Sequence, residues 1–179
     1  MKLILVRHTK VAVPEGICYG QTDVELASSY EREKSIIISL LGEDSFLNIY
    51  SSPLKRCLVL AKDIAPSGIE VVQDKRLQEL DFGEWEMQPW DDISDSKNAS
   101  LWFDDFLNVA CPGGESYKDL LKRVEGFIHD LKKEQVDGKV LIITHGGIVR
   151  AFHAILNKIE PDKAFDLKVE YGEVMEFTV

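Results

Sequence analysis

The sequence predicts a three-layer α/β/α fold with a mostly parallel central sheet. Short, almost wholly apolar runs alternate along the chain with segments of helical periodicity. The runs lack the polar alternation of a half-exposed strand and read as strands covered on both faces. Strand ends also lead straight into helix starts, at Ser52-Pro53 and at His145-Gly146-Gly147.

Leu3–Val6 is the first such strand. Residues 31–41 have helical character and stop near Gly42. Leu47–Ser51 is a second strand, after which Ser52 serves as N-cap and Pro53 as the first helical residue. The helix that follows carries Leu54, Cys57, Leu58, Ala61, Ile64 and Ala65 at helical spacing. Ile69–Val72 is a short strand. Residues 74–115 are less regular and are expected to form a cap-like segment within a single domain spanning 1–179. Trp85 and Trp90 lie there, ahead of a helix carrying Trp102. Ser116 and Asp119 resemble a capping box. They open the clearest helix, with Tyr117, Leu120, Leu121, Val124, Phe127, Ile128 and Leu131 on one face. Val140–Thr144 is the fourth strand. The next helix turns Ile148, Val149, Phe152, Ile155 and Leu156 inward, and Val174–Val179 adds an edge strand open to pairing in a homodimer.

Composition narrows the function classes. A chain of 179 residues, 45% hydrophobic and 29% charged, suits one globular domain. No apolar run reaches the roughly 20 residues that span a bilayer, and Met1–Val6 is too short for the core of a signal peptide. The expectation is a cytoplasmic protein with no membrane partner. A net charge of −10 argues against nucleic acid as a partner. It also makes any phosphate pocket a local positive island. The three cysteines, Cys18, Cys57 and Cys111, have no metal-site spacing and read as reduced thiols. Cys57 sits at a helix start, where a thiol pKa can fall, but no His or Asp stands near it in sequence and it is not taken as a nucleophile.

His8 follows the first strand and His145 the fourth. Arg7 precedes His8, and Arg56 lies in the first turn of the helix after the second strand. Open parallel sheets bind ligands beyond the carboxyl ends of their strands, where helix N-termini offer free N–H groups. Arg7, His8, Arg56 and His145 can therefore share one rim as an anion site. Taken singly, each serves equally well as a structural side chain or a surface ion pair, and both readings stand at this point.

Five ordered segments carry a resemblance. Leu5-Val6-Arg7-His8-Thr9, Ser51-Ser52-Pro53-Leu54-Lys55-Arg56, Leu77 to Glu86, Pro112-Gly113-Gly114-Glu115-Ser116 and Thr144-His145-Gly146-Gly147 resemble the histidine phosphatase superfamily, of phosphoglycerate mutase-like fold. The resemblance implies that His8 is a nucleophile that becomes phosphohistidine. It implies that Arg7 and Arg56 clamp the phosphoryl oxygens, and that His145 and Gly146 contact the same group. It makes Glu79 the acid that protonates the leaving oxygen and then the base that activates water. Glu79 must be protonated for the first step, which burial or a bound phosphate dianion would supply. The Arg charges beside His8 should keep its imidazole neutral. No metal and no cofactor is implied. His129 and His153 lie on helices and are not expected to act as ligands. Most members carry Gly-Glu after the nucleophile; Thr9-Lys10 stand here instead, which alters the pocket rim.

Cys18 to Asp23 and Phe82 to Met87 resemble the α-ribazole phosphatases of cobalamin biosynthesis. That resemblance places Gly20 and Gln21 on the phosphate pocket and implies a small phosphomonoester, α-ribazole 5′-phosphate or adenosylcobalamin 5′-phosphate. Trp85, Trp90, Trp102 and Phe103 would offer the base a stacking surface, or else serve as core or lid. Two alternatives stand beside it. One is a broad-specificity or sugar-phosphate phosphatase resembling fructose-2,6-bisphosphatases. The other is a protein phosphatase acting on phosphohistidine or phosphoserine in a partner. A phosphoglycerate mutase is disfavoured, because the chain lacks the insertion of the longer metabolic enzymes.

Overall fold

The computed structural model describes residues 1–134 and 138–179. Its five strands, β1 (Lys2–Arg7), β2 (Asn48–Ser51), β3 (Val71–Gln73), β4 (Lys139–Thr144) and β5 (Val174–Thr178), form one sheet in the order β3-β2-β4-β1-β5. All pairings are parallel except that of β5 with β1. β5 pairs only with β1 and closes one edge of the sheet.

Successive residues of a strand face opposite sides, and the core divides accordingly. Leu3, Leu5, Val140 and Ile142 pack on one face against α5 (Tyr117–Lys133) and α6 (Gly146–Asn157). Ile4, Val6, Ile49, Leu141 and Ile143 pack on the other, against α1 (Tyr30–Leu41) and α2 (Lys55–Ile64). The unbroken apolar runs of β1 and β4 follow from this double burial. On α5, Tyr117, Leu120, Val124, Phe127, Ile128 and Leu131 are buried, while Leu121 packs half-buried at the margin.

Two element boundaries differ from the sequence reading. β3 begins at Val71, because the turn at Pro66–Ile69 occupies the preceding residues. Ser52 does not cap α2. Its N–H bonds the Ile143 carbonyl at 3.0 Å, so the chain is still on the sheet there, and α2 starts only at Lys55. The irregular segment 74–115 contains α3 (Trp90–Ser94) and α4 (Lys97–Asp104) between two single-turn 3₁₀ helices and a closing loop. Among the described residues no helix is long and apolar enough to cross a membrane.

Both halves of a capping box are present at α5: Ser116 Oγ accepts from Asp119 N–H, and Asp119 accepts from Ser116 N–H. Ser116→Ala should lower stability by about 1 kcal/mol and the thermal midpoint by roughly 2–4 °C. An unchanged midpoint in calorimetry would contradict this account of how α5 is anchored.

Candidate active site

The sheet register brings the two histidines together. Arg7 on β1 pairs with Thr144 on β4, and His8 N–H bonds the Thr144 carbonyl at 3.0 Å. His8 and His145 therefore leave adjacent strands one residue past the last pair, and their ring centroids lie 5.1 Å apart. β2, on the other flank of β4, delivers Ser52 to the same place, and the first turn of α2 brings Arg56.

His8 is buried, and its Nδ1 lies 2.7 Å from the Thr9 carbonyl. A carbonyl only accepts, so Nδ1 carries the proton and Nε2 keeps its lone pair. The pKa of His8 is held well below the ordinary value, first by burial and then by the Arg56 charge; the Thr9 bond opposes them, and the Arg7 charge adds least. Burial thus outranks the arginines that the sequence pointed to. His145 is also buried, and its pKa is pushed down by burial first and by the Arg56 charge next. Arg56 Nε donates to its Nδ1 at 3.3 Å, and Nε2 lies 2.8 Å from Ser52 Oγ.

Arg56 is a fully buried charge. Its terminal nitrogens donate to the Gly20 and Thr22 carbonyls, at 2.5 and 3.0 Å. Arg7 Nη1 donates to the Val169 carbonyl at 2.6 Å, but its Nε is buried with no partner. Buried donors are almost always satisfied, and this one is open to an acceptor from outside the described residues. Among the described residues, neither arginine forms an ion pair with a carboxylate.

Glu79 enters from the segment after β3 and closes the N-terminus of α6. Its carboxylate accepts from Leu80 N–H and Gly147 N–H, both at 3.1 Å. A Cβ at Gly147 would come within 2.3 Å of Glu79 Oε1, so only glycine lets the carboxylate approach the helix. Arg123 fixes the chain that carries Glu79: it donates to the carbonyls of Arg76, Gln78 and Glu79 at 2.6–2.9 Å and pairs with Glu115.

A cavity of about 330 Å³ opens over this site, and His145, expected from the sequence to reach the same group, lies behind its wall rather than on its lining. Arg7, His8, Arg56 and Glu79 line its polar end, and Phe82, Trp90, Trp102, Phe106 and Phe165 its apolar wall. Trp102 Nε1 is buried there without a partner. Arg150 also lines the cavity, and its only protein hydrogen bond among the described residues is from Nε to the Leu167 carbonyl, 3.1 Å.

Other residues that the sequence singled out stand elsewhere. Gly20 and Gln21 lie behind the wall. Gly20 presents its carbonyl to Arg56, and Gln21 Nε2 donates to the Glu79 carbonyl at 3.1 Å. A Cβ at Gly20 would meet the Leu80 carbonyl at 2.0 Å, which fixes glycine there. Gly146 starts α6 within 3.5 Å of Arg7 Nε, measured from where its Cβ would be. Of the four aromatics named above, Trp90 and Trp102 line the cavity, Trp85 is core, and Phe103 is exposed on an outer groove. Cys57 is a buried thiol whose pKa is raised by burial, not lowered by its helix. Lys10 is exposed, and its side chain lines a different cavity. His129 is exposed, and His153 bonds only Asn157. Among the described residues no three His, Cys, Asp or Glu side chains are grouped so as to hold a metal ion.

Sequence reading missed the supports. Glu86 accepts from Gln21, Thr22 and Phe82 N–H groups and from the Thr22 hydroxyl, and so shapes the loop that holds Arg56. Tyr19 and Tyr171 cover the arginines, with Tyr171 only 3.9 Å from the Arg7 guanidinium. Glu86 and Tyr19 sat inside quoted motifs with no role attached; nothing around Tyr171 signalled one.

Parallel strands here present buried guanidiniums beside a neutral imidazole, a set of donors of the kind that suits an anion. The model of the histidine phosphatase superfamily (branch 1) matches residues 3–179, and the chain belongs to that family. It is thereby a phosphatase, a phosphoric monoester hydrolase. It is 29% identical over 167 residues to phosphoserine phosphatase 1 of Hydrogenobacter thermophilus, covering 91% of this chain and 79% of that protein. It is 27% identical to adenosylcobalamin/alpha-ribazole phosphatase of Escherichia coli, covering 96% and 87%. The crystal structure of the alpha-ribazole phosphatase from Shigella flexneri superposes with a TM-score of 0.93 at 26% identity, over 100% of this chain and 91% of that one. The fold is phosphoglycerate mutase-like.

Both buried imidazoles are neutral in the folded protein, whereas the unfolded chain protonates them below about pH 6.5. The unfolded state then binds more protons, so stability should fall as pH drops from about 7 to 5. Urea unfolding across this range tests it: His8→Asn and His145→Asn should each flatten the slope. A slope unchanged by both would show that neither histidine is buried neutral.

Proposed function

We propose that this enzyme hydrolyses a small phosphomonoester through a phosphohistidine on His8, and that the substrate is α-ribazole 5′-phosphate. Supporting the chemistry is the free Nε2 of His8, fixed by the Nδ1–Thr9 bond. Arg7 Nε, without a protein partner, and the unused N–H groups of Arg56 hold the phosphoryl oxygens and stabilise charge as it transfers. His145 stands behind this clamp and steadies it, its Nδ1 accepting from Arg56 Nε and its Nε2 lying against Ser52 Oγ. Glu79 serves as the acid that delivers a proton to the leaving oxygen and as the base that recovers one from the water that cleaves the phosphohistidine.

The observation that carries the substrate reading is the aromatic wall opposite the phosphate end. Trp90 and Trp102 stack at an interplanar angle of 26°, with Phe82 and Phe106 edge-on or tilted around them. Such a wall suits a flat aromatic base, and the unpaired Trp102 N–H offers it or its sugar a donor. Arg150 supports a second reading, a substrate with a carboxylate such as phosphoserine, because its terminal nitrogens are uncommitted on the same cavity.

Phosphate release should be measured for α-ribazole 5′-phosphate beside phosphoserine, phosphoglycerates, sugar phosphates and nucleotides, with EDTA present. A preference of about a hundredfold in kcat/KM for α-ribazole 5′-phosphate, about 2.7 kcal/mol, and its loss in Trp102→Ala, are the expected results. A preference for phosphoserine that Arg150→Gln abolishes would replace the base with a carboxylate. His8→Ala should be inactive on every substrate, and activity in that variant would overturn the mechanism.

A further inference from the structure

Two tyrosines from distant parts of the chain meet directly over the arginine pair. Tyr19 comes from the loop after β1, and Tyr171 from the turn before β5. Their hydroxyls are 2.6 Å apart, and among the described residues each is the other's only side-chain partner. The Arg7 guanidinium carbon lies 3.9 Å from the centre of the Tyr171 ring, and that of Arg56 lies 5.3 Å from the Tyr19 ring. Tyr171 also sits 5.6 Å from the His8 ring. Both tyrosines line the catalytic cavity on one side and a second cavity, under residues 10–17, on the other.

The placement answers a physical need. Among the described residues Arg7 makes one side-chain hydrogen bond, to the Val169 carbonyl. A long side chain so lightly held loses rotamer entropy when it clamps a phosphate. A ring face against the guanidinium plane restrains it without consuming N–H donors. The turn is itself anchored to the nucleophile: Gly172 N–H lies 3.1 Å from the carbonyls of Arg7 and His8.

We propose that Tyr171, seconded by Tyr19, is a positioning residue that holds the guanidinium of Arg7 in the plane that receives the phosphoryl group. This rests on the reading of Arg7 as a phosphoryl clamp. The ring does the holding, and the hydroxyl contact joins the two rings into one partition. Lys10 lies on the far side of that partition and takes no part in the clamp.

The test compares Tyr171→Phe, Tyr171→Trp and Tyr171→Leu by inhibition constants for inorganic phosphate and orthovanadate, by kcat and KM on para-nitrophenyl phosphate, and by thermal midpoint. Phe and Trp should stay within about threefold of wild type, while Leu should weaken orthovanadate binding about tenfold, about 1.4 kcal/mol. In an Arg7→Lys background the Leu change should cost little more, because its effect runs through Arg7. Loss in Phe equal to that in Leu, or full additivity with Arg7→Lys, would overturn the proposal. Should the Leu variant fail to fold, the Phe variant decides alone: a loss above fivefold overturns it. His8→Ala tests the underlying reading separately, since its retained turnover would remove the clamp's purpose whatever Tyr171 does.

Discussion

A buried guanidinium with no carboxylate beside it among the described residues is the constraint around which this molecule is arranged. Arg56 is fully buried, and among those residues its hydrogen bonds run to carbonyls and an imidazole. Removing such a charge from water is costly unless its donors are engaged. The loop 18–22 exists in its observed shape to supply those carbonyls, and Glu86 holds that loop through four hydrogen bonds together with the turn at Phe82. Among the described residues no carboxylate neutralises the charge, which suits the site to the phosphomonoester dianion proposed above. An acidic chain of net charge −10 thus concentrates positive potential at one rim of its sheet.

The same field sets the states of the histidines. Imidazolium next to two guanidiniums in a dry pocket is disfavoured twice over, by burial and by like charge. Both rings are therefore neutral, and their tautomers are chosen by fixed neighbours: the Thr9 carbonyl for His8, and Arg56 with Ser52 for His145. The free Nε2 lone pair of His8, on which the proposed nucleophilic role rests, follows from backbone geometry at the end of β1. Glu79 is kept apart from that pair, at the mouth of α6, where Arg123 and Gly147 fix its position.

Much of this was legible in the sequence. Doubly buried strands announce themselves as unbroken apolar runs, and histidines placed one residue past two such runs share a rim wherever those strands pair in register. The start of α2 differs from the sequence reading because local capping chemistry at Ser52 yields to the sheet, which still holds its N–H, and β3 starts later because the turn at Pro66–Ile69 occupies the residues before it. Tyr171 and Arg123 escaped notice because their roles depend on contacts with residues 164 and 44 positions away, which no local pattern encodes. Cys57 misled for a related reason: helix position lowers a thiol pKa only where the thiolate can be solvated, and this one is sealed in the core.

The central claim is that His8, and not another buried nucleophile, carries the phosphoryl group. Acid quenching cannot preserve such an intermediate, so the enzyme should be mixed rapidly with a labelled phosphomonoester, quenched in alkali and mapped by mass spectrometry. A phosphoramidate stable to base and labile to acid, on the peptide containing His8 and absent from His8→Asn, is the predicted result. Label on His145, on Cys57 or on Ser52, or turnover with no phosphoenzyme under conditions where its hydrolysis is rate-limiting, would contradict the account.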